Sequence, residues 1–273
     1  MMVARILLFV LAASVAVASD APGPYLPAAG AIEFAPRYPL WSDGMDKRRW
    51  IHIPAGAAID KSDADAWEFP RGTRAWKKFS RDGAPNETRL IERLPDGSWR
   101  YLTYAWNAAG TEATLAPEEG IRERGIPSRA DCLACHEGGA VPILGYSAVQ
   151  LETELPAALG YLHGNCGHCH NEGALPALEL SLAQKAADPK ASAALTYASL
   201  VGRPSRFRPH GATAAQRVVP GQPAQSILVA RMKSSDPLTR MPPLGVSIVD
   251  REGVTLISRW IETLSRQAPK EAP

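Results

Sequence analysis

All four cysteines of this chain fall in two copies of one five-residue motif, Cys132-Leu133-Ala134-Cys135-His136 and Cys166-Gly167-His168-Cys169-His170. Each copy sets two thiols three positions apart, with a histidine directly after the second. At this spacing two thiols meet the two vinyl groups of one porphyrin, and the histidine lands against the iron as an axial ligand. C-x-x-C-H is therefore the attachment signature of c-type haem. One copy could arise by chance, but two copies that use every cysteine constrain the chain far more. They predict two covalent haems, one on Cys132 and Cys135 with His136 as ligand, the other on Cys166 and Cys169 with His170 as ligand.

Other uses of the cysteines compete with this reading. A two-knuckle zinc site has its C-x-x-C pairs about 15–20 residues apart, whereas 30 residues separate these, and zinc does not require a histidine after each pair. Disulfides form in an oxidising compartment, and four cysteines allow three pairings. Neither alternative accounts for the two histidines. A mixed arrangement also stands, with haem at the second motif and a disulfide at the first.

The start of the chain agrees with attachment outside the cytoplasm. Residues 1–18 carry one basic residue, Arg5, then an apolar run from Ile6 to Ala13, then Ala16-Val17-Ala18, a small-residue cleavage site. This reads as a secretory signal peptide, too short to span a membrane, and predicts a periplasmic protein with no stable membrane insertion. Its removal leaves 29 Lys+Arg (30 − 1) against 28 Asp+Glu, a net charge of +1. So even a balance argues against a nucleic-acid partner. The remaining 255 residues (273 − 18) suit two domains.

Organisation changes near residue 125. Six of the seven tryptophans precede it, within short runs bounded by turn signals. Residues 49–53 end at Pro54, 74–80 at Asp82-Gly83, and 87–94 at Pro95-Asp96-Gly97, after which 99–106 follows at once. The last two runs read as a hairpin. Residues 19–125 are accordingly expected to form an antiparallel, β-sandwich-like or jelly-roll-like domain with its tryptophans in the core.

Residues 126–273 read as mainly α. A helix over 155–163 leads into the second motif, another covers 223–233, and a last one starts at the N-cap Asp250 and runs to about Leu264. Val254, Ile257, Ile261 and Leu264 fall on one face of that helix. Between the last two helices stands Arg240-Met241-Pro242-Pro243-Leu244-Gly245. A thioether completes iron coordination opposite a histidine and raises the potential. The flanking prolines restrict the loop, so Met241 is expected as second ligand of the second iron.

With these features in place, residues 155–264 resemble a class I cytochrome c domain. The order is a helix into C-x-x-C-H, a middle insertion, an M-P-P-x-G loop and a C-terminal helix with an aromatic. The fuller layout resembles a bacterial family of two-haem c-type cytochromes. It has Tyr38-Pro39-Leu40-Trp41-Ser42-Asp43, then Phe69-Pro70-Arg71-Gly72-Thr73, a C-x-x-C-H followed by Leu144-Gly145, and Asn165 before the second motif. The resemblance implies a periplasmic electron carrier or redox subunit and names no reaction.

Only 29 residues lie between His136 and Cys166, so the first haem must pack on the second haem domain, on the β domain, or on both. Candidates for its sixth ligand are His163, His168, His210, His52, Met45 and Met232. His163 precedes His170 by seven residues, two helical turns if the helix is continuous. Residues 201–245 hold seven basic side chains (Arg203, Arg206, Arg208, Arg217, Arg231, Lys233, Arg240) and one acid, Asp236. Several are expected to pair with haem propionates, and the rest to steer an acidic redox partner. The function expected is one-electron transfer. The alternatives are a dihaem peroxidase-type enzyme with one open haem, or a haem-based sensing module.

Overall fold

A computed structural model of the chain describes residues 23–208 and 215–264. The proposed signal peptide and His210 lie outside the described residues. Six strands form one antiparallel meander in sequence order: β1 (Ile32–Phe34), β2 (Asp46–His52), β3 (Arg74–Arg81), β4 (Ala84–Arg93), β5 (Trp99–Trp106) and β6 (Ala113–Leu115). The turn chemistry sets this order. Asp82 and Gly83 both take positive φ, 51° and 79°, the two-residue turn that matches strand twist, and they join β3 to β4. At the expected β4–β5 hairpin, Leu94 N–H donates to Ser98 O at 2.8 Å, and Arg93 lies opposite Trp99.

Alternation then sorts the side chains. Trp76, Leu90, Tyr104 and Trp106 are buried on one face beneath Tyr25, Ala28 and Ala31. Ile51 and Ala75 face the other way, in a core shared with Trp67, Phe69, Ile143 and Ala148. The expected sandwich is thus corrected. Among the described residues there is one sheet, and its second layer is built from connecting segments and from residues beyond 125. Short turns join β3 to β4, β4 to β5 and β5 to β6, so those strands pair as neighbours; a second sheet needs long crossovers. The longest connection, residues 53–73, instead tucks Trp67 and Phe69 under the sheet.

Six α-helices follow: α1 (Arg129–His136), α2 (Ala148–Leu151), α3 (Ala157–Asn165), α4 (Pro189–Leu200), α5 (Ile227–Lys233) and α6 (Arg251–Leu264). The mix of antiparallel sheet and helices is an α+β fold. Asp250 caps α6 as expected, its Oδ1 accepting from Gly253 N–H at 2.8 Å. Val254, Ile257, Ile261 and Leu264 are buried with Leu162, Leu182, Leu200 and Val229 in a second core. The helix expected over 223–233 opens as a 3-10 turn, Pro223–Gln225, before α5. No helix among the described residues is long and apolar enough to cross a membrane.

Candidate cofactor site

A cavity of about 1360 Å³ lies between the sheet and the helices, more than the roughly 300–1,000 Å³ of a pocket for a small ligand. Arg49, Ala75, Lys77, Arg89, Tyr101 and Thr103 form its sheet side; Cys132, Cys135, His136, His163 and His168 line the helical side. Alternate residues of β2 to β5 face it because a strand presents every second side chain to one side.

α1 presents the first motif. Ser128 and Asp131 close a reciprocal capping box at its N-terminus, satisfying backbone donors that would otherwise be orphaned. Its last residue, His136, packs on Tyr101 with ring centroids 5.4 Å apart. His136 Nδ1 lies 2.7 Å from Pro142 O. A carbonyl only accepts, so Nδ1 holds the proton and donates, and Nε2 keeps a free lone pair. That is how metal-binding histidines are oriented. Burial holds the His136 pKa down at about 4, so the ring is neutral near pH 7 and ready to ligate.

The second motif follows α3. That helix ends at Asn165, and the motif winds on through turns, so His163 and His170 do not share one continuous helix. Gly167 makes the first turn: a β carbon there would lie 2.8 Å from His163 O. Cys166 packs on the second core, and burial pushes its thiol up to about 12. His170 O accepts from Leu182 N–H at 2.7 Å. Its Nδ1 is buried without a hydrogen-bond partner. Burial first, then Arg231, His168 and Arg217, hold the ring near pKa 4.

Asn171, which carried no sequence signal, ties the two motifs together. Its Nδ2 donates to Gly138 O, Gly167 O and His168 O at 2.9, 3.0 and 3.1 Å. The motifs consequently touch. The ligand atoms of Cys135, His168 and Cys169 lie within 4.8 Å of one another. The Cys135 thiol donates a hydrogen bond to the Cys169 sulfur, which raises Cys135 to about 12, with burial second, and lowers Cys169 to about 7. Two thiols and an imidazole could hold zinc, but that trio leaves Cys132, Cys166, His136 and His170 without a role.

His163 lines the cavity, yet its Nδ1 accepts from Gln184 N–H at 3.0 Å. Nε2 therefore carries the proton of the neutral ring, making His163 a hydrogen-bond donor there and leaving no lone pair for iron. Met241 lies elsewhere, beside a small void with Met232, Tyr161 and Asn165, its N–H donating to Arg231 O at 3.1 Å. Cys166, Cys169, His170 and Met241 do not line the large cavity. Three of the expected propionate partners are engaged with backbone instead. Arg217 donates to the carbonyls of Leu178, Glu179 and Ser199, Arg203 to Ala198 and Arg231 to Thr239. Arg240 retains a buried Nε without a partner.

A segment 38–43 crosses from the sheet to the helices. Trp41 N–H donates to Asn165 Oδ1 at 2.7 Å, and its Nε1–H to Ile248 O at 3.0 Å. The Asp43 carboxylate accepts from Ser247 N–H, Ser247 Oγ–H and Ile248 N–H at 2.9, 2.6 and 2.9 Å. Comparison of the chain with protein-family models, with curated proteins and with solved structures gives no match.

Proposed function

We propose that this protein is a periplasmic c-type cytochrome that carries two covalent haems and transfers single electrons. The observation that carries the reading is His136. It ends a helix bearing Cys132 and Cys135, stands on the wall of a cavity too large for a small ligand, and is held in the tautomer that frees Nε2. Haem, when bound, supplies the one-electron couple. The chain's own residues would hold it: Cys132 and Cys135 would attach one haem and His136 would ligate its iron, and Cys166, Cys169 and His170 would do the same for the other. The orphaned Nδ1 of His170 fits a ring whose surroundings are completed by a bound group. Met241 is the proposed sixth ligand of the second iron.

A second reading, an enzyme with one open haem, draws support from His163. Its neutral ring offers an Nε2 proton from a cavity wall, which suits a residue that hydrogen-bonds to a small substrate. The deciding experiment is a pyridine haemochrome assay with metal analysis on the protein exported to an oxidising compartment. Two haems per chain and no zinc are expected. Absence of haem, with zinc bound, would overturn the cytochrome reading. Oxidised spectra then separate the two haem readings: two low-spin irons for the carrier, one high-spin iron for the enzyme.

A further inference from the structure

Three positive side chains stand in one line across three neighbouring strands. Arg49 on β2 is opposite Lys77 on β3, and Lys77 is opposite Arg89 on β4. The line continues to Thr103 on β5, whose hydroxyl contacts the Cys132 thiol. Like charges directly opposite on adjacent strands repel, and this row faces inward onto the large cavity. Arg49 is only 7% exposed. Neither its guanidinium nor the Lys77 ammonium makes a hydrogen bond or ion pair among the described residues. Arg89 is ion-paired with Glu87, fully buried with its Oε1 2.7 Å away; Glu87 also acts on Lys77 through space, and the Lys77 ammonium lies 4.7 Å from the centre of the Phe79 ring. Three cations and one carboxylate leave the row cationic, and Lys47 stands close enough to act on both Arg49 and Lys77.

Sheets do not gather unpaired cations inside without cause, because burying charge without a partner is costly. We infer that the row Arg49, Lys77 and Arg89 is a carboxylate-binding site, and that its far end, Arg49 and Lys77, takes the two propionates of the haem on Cys132 and Cys135. The second half of this inference rests on the cytochrome reading; the first half does not. The direction of the row selects that source. The row begins at the Cys132 thiol and runs away from it, so Arg49 stands about 14 Å from Thr103 at ~4.8 Å per strand. A porphyrin bound to cysteines through its vinyl edge carries its carboxylates on the opposite edge. Burial first, then Arg49, Arg89 and Lys47, depress the Lys77 pKa, with Glu87 opposing them.

The test is a reversal of sign. Lys77→Met and, separately, Arg49→Met are made in the haem-loaded protein and in a Cys132→Ser/Cys135→Ser chain that cannot attach the first haem, and thermal midpoints are measured. Without that haem each substitution relieves repulsion and raises the midpoint by a few degrees. With it, each removes a carboxylate partner and lowers the midpoint, while haem content stays at two. If both forms are stabilised, succinate is titrated into the wild-type protein. A succinate-dependent rise in midpoint that Arg49→Met abolishes keeps the carboxylate site and assigns it to a small acid from solution. Stabilisation of both forms with no response to succinate overturns the site. Absence of haem from the wild-type protein would sink the cytochrome reading alone, and the succinate titration would still decide the row.

Discussion

His163 shows how one proton's position changes a residue's role. Its rank among histidines is visible in the sequence, seven before His170, but its tautomer depends on Gln184 N–H, 21 residues later. No spacing rule reports such a bond. The same holds for His136, whose readiness to ligate depends on Pro142 O. The cysteines and their following histidines were legible because the attachment chemistry proposed for them would fix their spacing locally. The cations Arg49, Lys77 and Arg89 were not, because a charged residue on a strand ordinarily faces water. Burial depresses the His163 pKa from 6.5 to about 4, with His168 adding to the effect. The unfolded chain therefore binds a proton between these values that the folded chain refuses. Stability present above pH 6.5 is lost as pH falls towards 4. His163→Gln keeps an acceptor for Gln184 and removes the titration. Urea unfolding across that range should show a pH dependence shallower by on the order of 2 kcal/mol, allowing for screening at this half-buried site. An unchanged slope would mean that His163 takes up protons freely in the native state.

At the scale of elements, segment 38–43 acts as a strap. Its residues stand out in the sequence, yet their partners lie more than a hundred positions away, so their task was illegible. Tyr38 packs so closely that a β carbon at Gly160 would lie 2.2 Å from its ring. Asp43 holds residues 247–248, just beyond the loop that carries Met241. Asp43→Ala should speed amide hydrogen exchange at Ser247 and Ile248 by tenfold or more, corresponding to about 1.4 kcal/mol or more, while exchange in β3 and β4 stays unchanged. Equal exchange in both proteins would show that the strap is passive. Helix α6 was read correctly because its apolar period is strong. Helix α4 escaped because it buries Ser192 and Thr196, which serve Gln184 through hydroxyl bonds, and a polar buried stripe leaves no apolar pattern.

Charge is distributed unevenly over the whole molecule. Residues 201–245 sum to +6 (seven basic, one acidic) in a chain of net charge +2, so the remainder is −4. Arg203, Arg217 and Arg231 bind backbone carbonyls, whereas Lys233 is exposed at the end of α5 and remains suited to long-range steering. If the protein transfers electrons as proposed, Lys233→Glu should slow transfer to an acidic acceptor several-fold at low ionic strength, and the two rates should converge in high salt as screening removes the difference. Stopped-flow rates that respond to neither change would place docking elsewhere.

The meeting of Cys135 and Cys169 bears on the order in which the protein is made. Once the native arrangement forms, one sulfur of each motif lies beside the other, and one of them is a thiolate near neutral pH. An export pathway that oxidises thiols would then join them, two hydrogens passing to its oxidant, and each motif would lose half of its anchor. On the proposed cytochrome reading, haem attachment must therefore overtake folding. Produced in an oxidising compartment without the attachment machinery, the chain should yield a peptide pair linked through Cys135 and Cys169 on non-reducing peptide mapping. Pairs confined within each motif would show that the chain is trapped before its two halves come together.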